Sequence, residues 1–157
     1  MKVLLALDGS PHSHAALTEF AARPWPKGTE VKVLTVVHPG TPLFMEPTLM
    51  IAAAHMDEIL ELRQQAPALV ESASVLIRDA VPGVIVTNAV VEGLPKDVIV
   101  QEASDWSADL IIMGSHGYGR LRRTVLGSVA GAVVATAPCS VQVVRAKHLL
   151  EGAESAA

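Results

Sequence analysis

Four positions near the end of the chain combine residue types that can hold an anion. Gly114 and Gly117 are separated by two residues, and nine more separate Gly117 from Gly127, which is followed by Ser128. Glycine admits positive φ and lets the backbone come close to a bulky group. Gly127-Ser128 opens a helix predicted over residues 128–136, whose free N–H groups and dipole favour phosphate. The Ser128 hydroxyl adds a further donor. A second feature is Asp8, which directly follows the apolar run 3–7. In an open parallel sheet, ligands bind outside the carboxyl ends of the strands where the strand order reverses. Both features fall at strand ends.

The elements that must position them read as an alternation. Strands are predicted over 3–7, 30–37, 84–91, 110–113 and 141–144. A helix begins with Ser10 as N-cap and Pro11 at its first position, and stops at Pro24. A long helix after Thr48 carries Met50, Ile51, Ala54, Ile59, Leu60, Leu62, Leu69, Val70, Ala73, Leu76 and Ile77 at helical spacing. Pro67 inside it is expected to kink or split it. A third helix over 94–107 turns Val98, Ile99 and Ala103 inward. The spacing of Met and Leu on the second helix fits core packing or a wall over a ligand. Half of the 157 residues are hydrophobic and only 3% aromatic, so the core is aliphatic, as enclosed parallel strands require. The β-α-β-α-β-α-β-α-β order predicts an α/β, doubly wound (Rossmann-like) parallel sheet with helices on both faces. One domain over 1–146 and a polar tail over 147–157 account for the length.

The glycine spacing, with the strand endings Asp8-Gly9-Ser10, Val36-Val37-His38 and Ile111-Ile112-Met113-Gly114, resembles the nucleotide-binding branch of the universal stress protein family over residues 3–144. The resemblance implies five strands in the order 3-2-1-4-5 and an ATP site between the ends of the first and fourth. In that likeness Asp8, beside Leu7, meets the ribose hydroxyls, and Ala6 and Val36 border the adenine. Met113 and Gly114 line the other side of the base and sugar. Gly117, Gly127, Ser128 and Val129 cradle the triphosphate through backbone N–H groups, and Mg²⁺ is held through phosphate oxygens and water. The resemblance also implies a homodimer paired through the fifth strand, whose Val141, Val143 and Val144 make a sticky edge, and a part in stress adaptation.

Other readings of the same residues stay open. Asp8 can end its strand in an Asx-turn, and the glycines can be turns alone. His116, inside the glycine loop, can face phosphate, ribose or solvent, and Arg120, Arg122 and Arg123 can be phosphate neighbours or a solvated stretch. His12 and His14, two apart on a helix, do not share a face; His38, His55 and His148 are scattered. Ser10, Ser115 and Ser128 lack a base at any motif spacing, and the P-loop lysine is missing. A slow ATPase or nucleotidyl-transfer enzyme, and a nucleotide-free interaction scaffold, are therefore the alternatives to a binding protein.

Composition narrows the partners. The net charge of −4 and the lack of a basic stretch beyond those three arginines speak against nucleic acid. A single cysteine, Cys139, fits a reducing compartment and buried packing duty. The apolar run at the N-terminus stops at Asp8 after five residues, short of the roughly 7–15 of a secretory signal, and no stretch reaches the ~18 of a membrane span. A cytoplasmic protein without a membrane partner is expected.

Overall fold

Five aliphatic runs set the sheet, and glycine, proline and small polar residues punctuate them. The structure is a computed structural model; it describes residues 1–37, 49–117 and 126–146, and for 49–59 and 62 the backbone alone. Along the chain the elements are β1 (Lys2–Ala6), α1 (Pro11–Ala21), β2 (Glu30–Val37), α2 (Leu49–Ala80), β3 (Ile85–Glu92), α3 (Pro95–Asp105), β4 (Leu110–Gly114), α4 (Ser128–Thr136) and β5 (Ser140–Val144). All neighbouring strands are parallel and lie in the order β3-β2-β1-β4-β5, as the resemblance implies. The order reverses between β1 and β4, where Ala6 pairs with Leu34 on one side and Met113 on the other.

Alternation of side chains across the strands divides the core into two layers. On one face Val3, Leu5, Val31, Val33 and Ile112 pack against Phe20 and Leu17 of α1 and Val70, Ala73 and Ile77 of α2. On the other, Leu4, Ala6, Leu34, Ile111 and Met113 meet Ile99 and Ala103 of α3 and Ala130 and Val133 of α4. Helices thus cover both faces, and the predicted inward residues Ile99 and Ala103 are buried.

Local chemistry explains the element ends that bear on the site. Ser10 is buried, and its hydroxyl accepts from the Ser13 N–H at 3.2 Å while Pro11 occupies the first helical turn. This relieves an orphan donor where β1 hands over to α1. Two expectations about α2 are corrected. The helix is not split at Pro67; Ala66 and Val70 on either side of the proline are buried, and their packing offsets the lost hydrogen bond. Leu60 and Leu76 face solvent, so periodic spacing overstated the width of the buried stripe. Among the described residues one buried side-chain oxygen, Thr35 Oγ1, has no hydrogen-bond partner.

The expectations placed on 38–48, on Arg120, Arg122 and Arg123, on His148 and on the tail 147–157 lie outside the described residues, as do those on the side chains of Met50, Ile51, Ala54, His55, Ile59 and Leu62. No helix among the described residues is long and apolar enough to cross a membrane.

Candidate functional site

At the carboxyl ends of β1, β2 and β4, on the face covered by α3 and α4, lies a cavity of about 400 Å³, within the size range of small-molecule sites. Its apolar wall comes from Ala6, Leu34, Val36, Met113, Pro95 and Ile99, and its polar end from Asp8, His116, Gly117, Gly127 and Ser128. Every residue that the resemblance assigns to the nucleotide, with Leu7 and His116, lines this one space, whereas Ser10, His12, His14, Ser115 and Cys139 are not part of its lining. Sequence reasoning missed Ser13, Leu34, Pro95, Ile99, Leu126 and Ala130. Two of these had a signal: Leu34 shares a strand face with Val36, and Ile99 was already expected to point inward.

The helix α4 enters this cavity with its first turn uncapped. Gly127 is the N-cap with extended backbone, and no side chain caps the turn. Its own N–H is engaged, donating to the Ser115 carbonyl at 2.8 Å. The N–H groups of Ser128, Val129 and Ala130 are left as first-turn donors, and all three residues line the cavity. Such a terminus favours an anion through both its donors and its dipole. No lysine or arginine is among the described lining residues, and the first-turn amides of α4 offer the cavity positive potential.

Asp8 makes the Asx-turn and also reaches the cavity. Oδ1 accepts from the Ser10 N–H at 2.9 Å, which is the Asx-turn. The exposed carboxylate nevertheless borders the cavity, with Oδ2 turned to Gly117. The glycines work differently from the expectation. None of Gly114, Gly117 and Gly127 has positive φ; at Gly114 and Gly117 the close approach leaves no room for a Cβ, and at Gly127 the fit is tight. At Gly114 a Cβ would lie 2.7 Å from the His12 carbonyl carbon and 2.8 Å from the Ser13 nitrogen, so β4 and the start of α1 touch through it. At Gly117 it would lie 2.7 Å from Asp8 Oδ2, and at Gly127 3.1 Å from the Ser115 oxygen.

Ser115 has the partners that sequence spacing could not supply. Its buried hydroxyl is 3.1 Å from His12 Nδ1 and 3.1 Å from His116 Nδ1, and the two rings lie 5.3 Å apart. His12 Nδ1 also accepts the Ala146 N–H at 3.1 Å, and the Ser10 hydroxyl donates to the His116 carbonyl at 3.3 Å. Burial pushes the His12 pKa below its ordinary value; His116 and Arg145 push the same way, and Asp8 opposes them. Cys139, half-buried, has its thiol pKa raised by burial and by Asp109, against a backbone hydrogen bond at Ile111.

The model of the universal stress protein family matches residues 1–145. The chain belongs to that family. A universal stress protein of Thermus aquaticus is 33% identical over 144 residues, covering 91% of this chain and 97% of the relative. The universal stress protein MJ0577 of Methanocaldococcus jannaschii is 29% identical over 160 residues, 94% of this chain and 96% of its own. Its solved structure superimposes with a TM-score of 0.71 over 92% of this chain and 94% of that one. A universal stress protein family member from Arabidopsis thaliana, solved with AMP bound, shares the fold with a TM-score of 0.63 at 18% identity, over 92% of this chain and 91% of its own.

Proposed function

We propose that this universal stress protein binds an adenine nucleotide, ATP in the first place, and acts as a nucleotide-responsive regulatory protein of stress adaptation rather than as an enzyme of rapid turnover. The observation that carries the reading is the uncapped first turn of α4 opening into the same apolar cavity that Asp8 borders. A flat apolar base fits between the walls made by Ala6, Val36 and Met113, with Gly114 beside the sugar. Asp8 Oδ2 is placed for a ribose hydroxyl, and the amides at Gly117, Ser128 and Val129 for the phosphates. AMP in the Arabidopsis neighbour is consistent with this class of ligand.

Among the described residues no three His, Cys, Asp or Glu side chains gather to hold a metal ion, and Asp8 is the only carboxylate on the cavity. That donor set fits Mg²⁺ carried by phosphate oxygens and water better than a protein cage. A homodimer through the exposed edge of β5, and a cytoplasmic setting, belong to the same proposal.

Calorimetric titration with ATP, ADP and cyclic AMP tests it. Saturable binding of at least ATP, with phosphate release far slower than binding, supports the regulatory reading. No heat with any of the three overturns it, and fast phosphate release would make the protein an ATPase.

A further inference from the structure

The chain that leaves β5 is tied to the start of α1 by a contact with a fixed direction. At that end of the sheet the Ser115 N–H donates to the Val144 carbonyl at 2.8 Å. Two residues on, the Ala146 N–H reaches His12 Nδ1 at 3.1 Å. A backbone N–H can only donate, so Nδ1 accepts, and the proton of the neutral ring sits on Nε2. The same Nδ1 lies 3.1 Å from the buried Ser115 hydroxyl, which has acceptor lone pairs as well as a proton and rotates to suit its partner. His12 therefore has two satisfied states. Neutral, it holds Ala146. Protonated on Nδ1, it donates a charge-assisted hydrogen bond to Ser115 Oγ, and the Ala146 N–H is left facing another donor.

We propose that His12 is a proton-operated latch on the chain after β5, holding Ala146 when neutral and releasing Arg145 and Ala146 when protonated, while β5 itself stays in the sheet. Charge acts in the same direction as the hydrogen bond. Arg145 disfavours a proton on His12, so an imidazolium repels the segment that it has ceased to hold. The ring cannot follow that segment, because α1 is packed on the end of β4: a Cβ on Gly114 would lie 2.7 Å from the His12 carbonyl carbon. The titratable and charged groups facing His12 are Asp8 from the β1–α1 turn, His116 after β4 and Arg145 after β5. Burial is the largest influence and holds its pKa below the ordinary 6.5; His116 and Arg145 push the same way, and Asp8 opposes them. Release exposes the ring and relieves the repulsion from Arg145, so the open form binds the proton more readily. Acid therefore favours opening. The latch is closed at neutral pH and opens as pH falls below 6.5 through the folded value. It does not depend on the nucleotide reading.

NMR of the full chain between about pH 8 and about pH 5 tests this, with the imidazole resonances and the backbone amide relaxation followed on one sample. The His12 ring signal is assigned by its loss in His12→Asn. The expected result is an Ala146 amide whose order parameter falls from about 0.85 to below about 0.6. That fall should share the midpoint of the His12 ring, below 6.5, while the Val144 amide keeps its value. His12→Asn offers an acceptor oxygen that does not protonate in this range, and should keep Ala146 ordered at about pH 5. His12→Phe offers no acceptor and should free Ala146 already at about pH 8. A thermal melt checks that the phenylalanine variant is folded; if it is not, the unmodified chain and His12→Asn decide. An Ala146 amide that stays ordered while His12 titrates, or a ring that does not titrate in this range, overturns the proposal. So does acid release that persists in His12→Asn, or an ordered Ala146 in folded His12→Phe.

Discussion

Gly117 and Asp8 meet so closely that a Cβ on the glycine would lie 2.7 Å from the Oδ2 carboxylate oxygen. The atom in the way is the end of a side chain, which can rotate, so Gly117→Ala turns the carboxylate away instead of breaking the fold. The variant is expected to melt within a few degrees of the parent and to bind ATP about tenfold more weakly, the loss of roughly one charge-assisted hydrogen bond. Calorimetry and a thermal melt on the same preparation check the two halves.

Gly114→Ala should behave in the opposite way. Its added methyl meets the His12 carbonyl carbon, the Ser13 nitrogen and the His12 Cβ, all within 2.9 Å. Backbone cannot rotate away, so α1 must be pushed off the end of β4. Overpacking of this kind destabilises by roughly 1–3 kcal/mol, and denaturant unfolding should show it with or without nucleotide.

Acid should weaken the fold through His12. Its folded-state pKa is depressed, chiefly by burial, so the unfolded chain binds the proton more readily. The contribution is therefore present above the ordinary histidine value near 6.5 and lost as pH falls below it through the folded value. A protonated His12 Nδ1 also can no longer accept from Ala146. Urea midpoints should fall between about pH 7 and about pH 5, and His12→Asn should flatten part of that fall.

Thr35→Val tests the unpartnered hydroxyl buried in β2. The substitution is nearly isosteric and removes a polar atom that has no hydrogen bond. Stability should rise by up to about 1 kcal/mol, read as a higher melting temperature; a fall would show that the hydroxyl is paired in solution.

Much of the fold was legible because its signals are local. The alternation in 30–37 gave β2 its observed ends, and Gly127-Ser128 gave the start of α4. Asp8 and the glycine spacing led to the end of the sheet where the cavity opens, because strand ends and turn residues are neighbours in sequence. What failed was decided by tertiary packing. Pro67 leaves α2 unsplit because buried neighbours hold it, and Leu76 is exposed because the layer it was expected to join is filled by Ala73 and Ile77. The Ser115 cluster was illegible for a topological reason. Its partner His12 is 103 residues away, and only the adjacency of β1 and β4 brings the start of α1 beside the end of β4. Read along the helix, His12 and His14 gave no hint of it.

The four-position glycine and serine pattern is thus two constraints written in one line. Position 114 answers to the neighbouring helix and position 117 to the carboxylate beside it. A descendant of this chain that gave up its ligand would be released at 117 and remain bound at 114, so the survival of the first glycine alone says nothing about whether such a protein still holds a small molecule.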